Sequence, residues 1–187
     1  MPVNMSDLSI FTNKNENGIK LSDRLNTVLT NSKYFDVLVG YFRITGFYLL
    51  KEQLEDVEEI RILIGLGTDI ETVKAVDIFE LSGANAVHKI QEVVKEEFNS
   101  TTDDNLDMEN GVVKFCEWIN SGKLKIRMCY EQNVHAKLYI IRKNPDIVPD
   151  QFGNLITGSS NFTYNGLDKN IEFNVELKDQ ANVQYAL

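Results

Sequence analysis

Three short segments in the C-terminal half of the chain carry residues whose types suit reaction at phosphorus: "HAK" at 135–137, "GSSN" at 158–161 and "NIEFNVEL" at 170–177. In a β-strand residues i and i+2 share a face. His135 and Lys137 are therefore expected side by side, with Tyr139 continuing the polar row and Ala136, Leu138 and Ile140 facing the other way. Gly158 would let a ligand approach the backbone, while Ser159 and Asn161 offer hydroxyl and amide donors of the kind that grip phosphate oxygens. Residues 171–177 alternate, with Glu172, Asn174 and Glu176 on one face and Ile171, Phe173, Val175 and Leu177 on the other, so a neighbouring strand presents a carboxylate. A neutral imidazole can attack phosphorus, and a carboxylate bonded to its second nitrogen fixes the tautomer. Lysine and asparagine then stabilise charge on the non-bridging oxygens. Such a scheme needs no metal and no cofactor, and neither is expected.

The elements that must position these segments follow from periodicity. Leu21, Leu25, Val28 and Leu29 have helical spacing. "FDVLVGYF" (35–42) and "IRILIGL" (60–66) read as strands, with helical spacing between them at Phe47, Leu50, Leu54 and Val57, which together make a parallel crossover unit. From about 70 to 120 the chain reads as mostly helical, with "AVHKIQEVVKEEF" and "GVVKFCEWI" amphipathic on either side of a polar surface loop, "NSTTDDNLDMEN". After Gly122 the character turns to β, in "KLKIRMCY", "HAKLYII", "NLITGSS" and "IEFNVEL". The predicted fold class is α/β, with one mixed β-sheet flanked by helices on both faces. A single domain over 1–187 fits the length, and the closing "ANVQYAL" reads as a cut point, the domain being the N-terminal fragment of a longer protein.

Composition excludes several classes. With 43% hydrophobic and 25% charged residues and three prolines, the chain is ordinary globular protein rather than disordered or fibrous. Cys116 and Cys129 lack C-x-x-C or zinc spacing and read as buried free thiols. The N-terminus lacks the pattern of a signal peptide and no apolar run approaches the ~20 residues of a membrane span, so a cytoplasmic protein is expected. A net charge of −9 argues against a general electrostatic grip on nucleic acid and leaves room only for a local basic cleft.

The run "HAKLYII…GSSNFT…NIEFNVEL" resembles the phospholipase D superfamily, whose signature is H-x-K followed by G-[GS]-x-N. It looks closest to the branch of metal-independent restriction nucleases and the phospholipase-D-like domains at the N-termini of bacterial helicases. "VLVGYFRITGFYLLKEQL…IRILIGLGTD" resembles the start of those helicase-associated domains, so the likeness runs over roughly residues 20–180. It implies a covalent phosphohistidine at His135, phosphate binding by Lys137 and Asn161, support of the histidine by Glu172 and a further phosphate contact from Ser159. The implied activity is a metal-independent phosphodiesterase or nuclease acting on DNA, in a bacterial helicase or restriction-type protein with helicase domains C-terminal to it. A non-catalytic DNA-binding and dimerisation module of a helicase is the alternative. Two departures matter. The superfamily's aspartate five residues after the lysine is Arg142 here, which disfavours a lipase-type site and leaves the supporting role to Glu172. The family chemistry also uses two histidines where this chain has a single H-x-K, so a homodimer with one composite site is expected.

Other candidates weigh less. His88 has Ile90 rather than lysine at +2 and reads as a helix-surface residue. "IGLGTD" (64–69) lacks the third glycine of a dinucleotide fingerprint and reads as a strand-end turn. Tyr41, Arg43 and Thr45 follow a strand at its C-terminal end, where α/β sheets place ligands, so Arg43 is a candidate phosphate contact, with a structural salt bridge as the alternative. Arg142 either adds positive charge near a polyanion or is an edge residue. Trp118 fits a core position, and the acidic runs at 55–59 and 102–110 read as solvated surface.

Overall fold

The computed structural model describes residues 9–13, 18–65, 105–129 and 134–187, with backbone alone for 105–112. His88 and the segment "AVHKIQEVVKEEF" lie outside the described residues. Seven strands form one sheet: β1 (Ile10–Thr12), β2 (Ser32–Val39), β3 (Glu59–Ile64), β4 (Leu124–Met128), β5 (Leu138–Lys143), β6 (Gly153–Gly158) and β7 (Phe173–Leu177), in the order β1-β7-β6-β5-β2-β3-β4. β2, β3 and β4 run parallel and every other neighbouring pair is antiparallel, so the sheet is mixed as expected. These directions bring the C-terminal ends of β2, β3 and β6 and the N-terminal ends of β5 and β7 to one edge of the sheet.

Helices lie on both faces. α1 (Leu21–Leu29), α2 (Ile44–Tyr48) and α3 (Asn105–Asn120) cover one, where Leu21, Leu25, Phe47, Phe115 and Trp118 join Phe35, Val37, Ile62, Tyr139 and Ile156 of the sheet in the main core. Phe47 meets both Phe115 and Trp118 edge to face, at 5.1 and 5.3 Å between ring centroids. On the other face α4 (Gln180–Tyr185) sets Val183 against Ile140 and Leu155. Asp179 caps α4 by accepting the Asn182 N–H at 2.9 Å, so part of "ANVQYAL" is a docked helix.

Periodicity misjudged two stretches. The helix expected at 46–57 ends at Tyr48, and the chain continues in tighter turns, the N–H groups of Leu50, Glu55 and Val57 bonding three residues back at 3.0–3.3 Å. Three-residue turns keep nearly the same apolar spacing, which is why Leu50 and Leu54 are still fully buried. The polar loop expected up to Asn110 gives way at Asn105 to helix, because propagation from the apolar turns around Phe115 carries the polar residues with it. α3 ends at Asn120, and Gly122 turns into β4 with φ of 78°, a conformation that glycine adopts without strain.

Cys116, on α3, is 2% exposed, and burial pushes its thiol up to about 11. Because the thiolate is the reactive form, native protein at pH 8 should react with a thiol reagent at Cys116 several hundredfold more slowly than denatured protein. Comparing labelling of wild type and Cys116→Ala, with and without urea, checks this. Rapid native labelling of Cys116 would contradict it.

Candidate active site

The H-x-K segment is not part of a strand. Leu38 pairs with Leu138 as the last rung between β2 and β5, β2 breaks at Gly40, and residues 134–137 run on as an unpaired strap. The strap crosses the ends of two parallel strands, and glycines make room for it. A Cβ at Gly65 would lie well inside 3.0 Å of the Val134 carbonyl oxygen, and one at Gly40 would meet the same oxygen at 3.0 Å and the His135 Cα at 3.6 Å. His135 is exposed, and Lys137 Nζ donates to the His135 carbonyl at 2.9 Å. Gly65, the second residue of "IGLGTD", is thus part of what seats the histidine, and the turn read over the rest of that segment lies outside the described residues. Gly65→Ala should lift the strap and lower any His135-dependent turnover about 100-fold while moving the urea midpoint little, since a displacement near 1 Å suffices for that loss. Parallel rate and unfolding curves check it, and an unchanged rate would detach Gly65 from the site.

Tyr139 does not continue a polar row. It is fully buried, its ring 6.3 Å from that of Phe162, and its hydroxyl donates to the Ser160 carbonyl at 2.9 Å. Burial, with the charge of Glu172 nearby, holds its pKa well above the usual phenol value, so it stays a neutral donor. This bond ties the strand that follows the H-x-K strap to the "GSSN" loop that follows β6. The loop is tied in turn to the segment after β2. The Tyr41 N–H donates to Asn161 Oδ1 at 3.1 Å, the Arg43 N–H donates to the Phe162 carbonyl at 2.9 Å, and Phe42 stacks on Phe162 at 5.4 Å. The Arg43 guanidinium lies over the Tyr41 ring at 5.3 Å and donates to its hydroxyl from Nε and Nη2 at 3.1 and 2.6 Å. A tyrosine hydroxyl thus holds Arg43, a partner the sequence reading did not foresee.

Glu172 accepts from the Ser159 hydroxyl and, at 3.2 Å, from Asn170 Nδ2; Ser159 Oγ also accepts the Phe173 N–H at 3.1 Å. No bond joins Glu172 to His135 within this chain. Gly158 opens the backbone to β7 rather than to a ligand: a Cβ there would fall well inside 3.0 Å of the Phe173 carbonyl and of the Asn174 side chain. The alternation in β7 holds but faces the unexpected way. Asn174 and Glu176 are buried at 0% and 1% exposure, while Ile171 and Phe173 stand at 78% and 56%. Glu176 can face inward because Arg24 of α1 and Asn154 of β6 bond its carboxylate. Arg142 is an ion-pair partner: it reaches Asp36 Oδ2 at 3.1 Å and lies over the Tyr34 ring at 4.1 Å, with Arg61 on the other carboxylate oxygen.

His135, Lys137, Ser159, Asn161, Glu172 and Arg43 therefore gather at one sheet edge, on four segments cross-tied by Tyr139, Tyr41, the Phe42–Phe162 stack and the Ser159–Glu172 bond. No described helix is long and apolar enough to cross a membrane.

The family model described as cardiolipin synthase, PLD-like domain, matches residues 32–186. Sequence comparison with curated proteins gives no match. Among solved structures the chain is similar to phosphatidylserine synthase of Haemophilus influenzae Rd KW20, at 16% identity over 95% of this chain and 36% of that one, with a TM-score of 0.52. It is also similar to yeast tyrosyl-DNA phosphodiesterase, at 15% identity over 89% of this chain and 31% of that one, TM-score 0.49. A third is the phospholipase D family member Nuc from Salmonella typhimurium, at 14% identity over 95% of this chain and 86% of that one, TM-score 0.45. The chain thus spans about a third of the yeast enzyme.

Proposed function

This chain belongs to the phospholipase D superfamily, through its PLD-like domain, and we propose from that premise that it is a metal-independent phosphodiesterase domain acting on DNA as a homodimer. The observation that carries the reading is the convergence of the H-x-K strap, the "GSSN" loop and Glu172 on one sheet edge. An imidazole nitrogen of His135 attacks phosphorus and forms a P–N bond as the P–O bond to the leaving nucleoside breaks. The partner subunit's His135 gives its proton to that oxygen. Water, losing its proton to the partner's imidazole, then breaks the P–N bond and leaves a terminal phosphate. Lys137 and Asn161 hold the non-bridging oxygens, and Ser159, fixed by Glu172, adds a donor. Glu172 orients an imidazole in the assembled dimer, and Arg43 steers the flanking phosphate. A cytoplasmic role at the N-terminus of a helicase or restriction-type protein completes the proposal.

The Arg142–Asp36 pair supports a nucleic-acid substrate over a lipid, since the position that carries aspartate in lipase-type signatures is here a cation occupied within the sheet. The test is cleavage of single- and double-stranded DNA in excess EDTA by wild type and His135→Ala, with phosphatidylglycerol as the lipid control. Lipid hydrolysis without DNA cleavage would sink the reading, and DNA binding without cleavage would favour a non-catalytic, dimerising module.

A further inference from the structure

The outward face of β7 is costly as it stands. Burying a side chain such as Phe173 or Ile171 would stabilise the fold, yet both are exposed while Asn174 is fully buried with neither amide atom bonded. A shift of register by one residue would reverse this, and the structure does not take it. Gly158, which admits β7 at this register, and the Glu176–Arg24 pair hold the polar residues inward.

What the exposed residues adjoin is specific. Phe173 follows Glu172, donates its N–H to Ser159 Oγ at 3.1 Å and accepts the Ser159 N–H at its carbonyl at 3.1 Å. The root of its ring is therefore fixed by the same two residues that border the proposed phosphate site. The segments that carry Lys137 and Arg43 end at the same edge of the sheet as this apolar surface, in a chain whose net charge is −9. Phosphate flanked by an uncharged flat group matches that pairing.

We propose that Phe173, with Ile171 beside it, is a stacking platform for a base next to the scissile phosphate, and that the substrate is single-stranded nucleic acid. The inference rests on the phosphodiesterase reading above. A duplex hides its base faces in its own stack, whereas an unpaired base offers its π-face to an aromatic side chain whatever its sequence. The lip is too small for a protein partner. Phe173 contributes at most about 150–250 Å² even fully covered, and Ile171 and the exposed Ile10 of β1 add less, against about 800 Å² per partner in a stable interface.

The test compares three probes: a single-stranded oligonucleotide, the same strand annealed, and an equally long strand of abasic residues that keeps every phosphodiester and lacks every base. Phe173→Ala should lose about 10–100-fold in kcat/KM on the first, change little on the abasic strand, and recover with Phe173→Tyr or Phe173→Trp. Equal loss on both strands would make Phe173 a structural support of Ser159. No loss on either would overturn the proposal, and a fall to monomeric mass would assign the lip to a second copy of the chain. Anisotropy of labelled strands binding to His135→Ala, with and without Phe173→Ala, separates the two ideas. If wild type cleaves nothing yet Phe173 still discriminates based from abasic strands, the catalytic reading fails and the platform stands.

Discussion

His135→Ala is expected to lower EDTA-resistant DNA cleavage at least 1,000-fold, to the background of the assay, while the protein keeps the unfolding midpoint and mass of wild type. Removing a nucleophile eliminates a reaction path rather than weakening one contact, so the loss is of order 10³ or more, as for other covalent catalysts. Stability should hold because the side chain is exposed and sits on an unpaired strap. The proposed composite site makes a sharper demand. In an equimolar mixture of wild type and His135→Ala allowed to exchange subunits, activity should fall to about one quarter of the all-wild-type value, because only dimers with two histidines turn over. Two independent sites would give about one half. Full activity of His135→Ala, or cleavage abolished by EDTA, would reject the mechanism.

The parts of this site readable in the sequence were those governed by residue type and local spacing. "HAK", "GSSN" and Glu172 are short polar signatures at the ends of apolar strands, and strand direction alone brings them to one edge. What the sequence hid was set by contacts between distant segments. Nothing local distinguishes Tyr139 as a buried tie to Ser160, or tells that Gly40 and Gly65 lie under the strap. A signal for the glycines was present, since "LVG" and "LIG" end two strands with the same residue. It had no meaning until the strap was known to cross both ends. β7 shows the opposite case: its period was legible and its inward face was not, because a buried carboxylate looks exposed until its cation, on a helix far away in sequence, is seen. Arg142 could not be resolved for the same reason, its partner Asp36 lying across the sheet.

That buried pair gives the largest expected effect on stability. Arg24 and Glu176 have side-chain exposures of 7% and 0%, and the carboxylate takes Arg24 Nε at 2.7 Å, Arg24 Nη2, and Asn154 Nδ2 at 2.6 Å. Beside them a cavity of about 580 Å³ is lined also by Lys143, whose amine burial holds below the usual lysine value and which donates to the carbonyls of Val28 and Thr30. Arg24→Ala should destabilise the protein by about 3–5 kcal/mol, because Glu176 would keep its buried position with only Asn154 to bond it. In thermal unfolding that is a drop of roughly 6–20 °C for a chain of this size. The charge pair itself is not what stabilises the fold, since both ions give up hydration to meet. Arg24→Met with Glu176→Leu should therefore come within about 1 kcal/mol of wild type, or exceed it. If Arg24→Ala costs under about 1 kcal/mol, Glu176 is reaching water in solution and the inward face of β7 is not closed. If the apolar double variant is as damaged as Arg24→Ala, the pair is needed for register, because Ile171 and Phe173 would then compete to turn inward. Hydrogen exchange at the Glu176 N–H, which bonds the Ser9 carbonyl at 2.7 Å, separates those outcomes: protection survives a simple loss of stability and is lost in a register slip of β7 against β1.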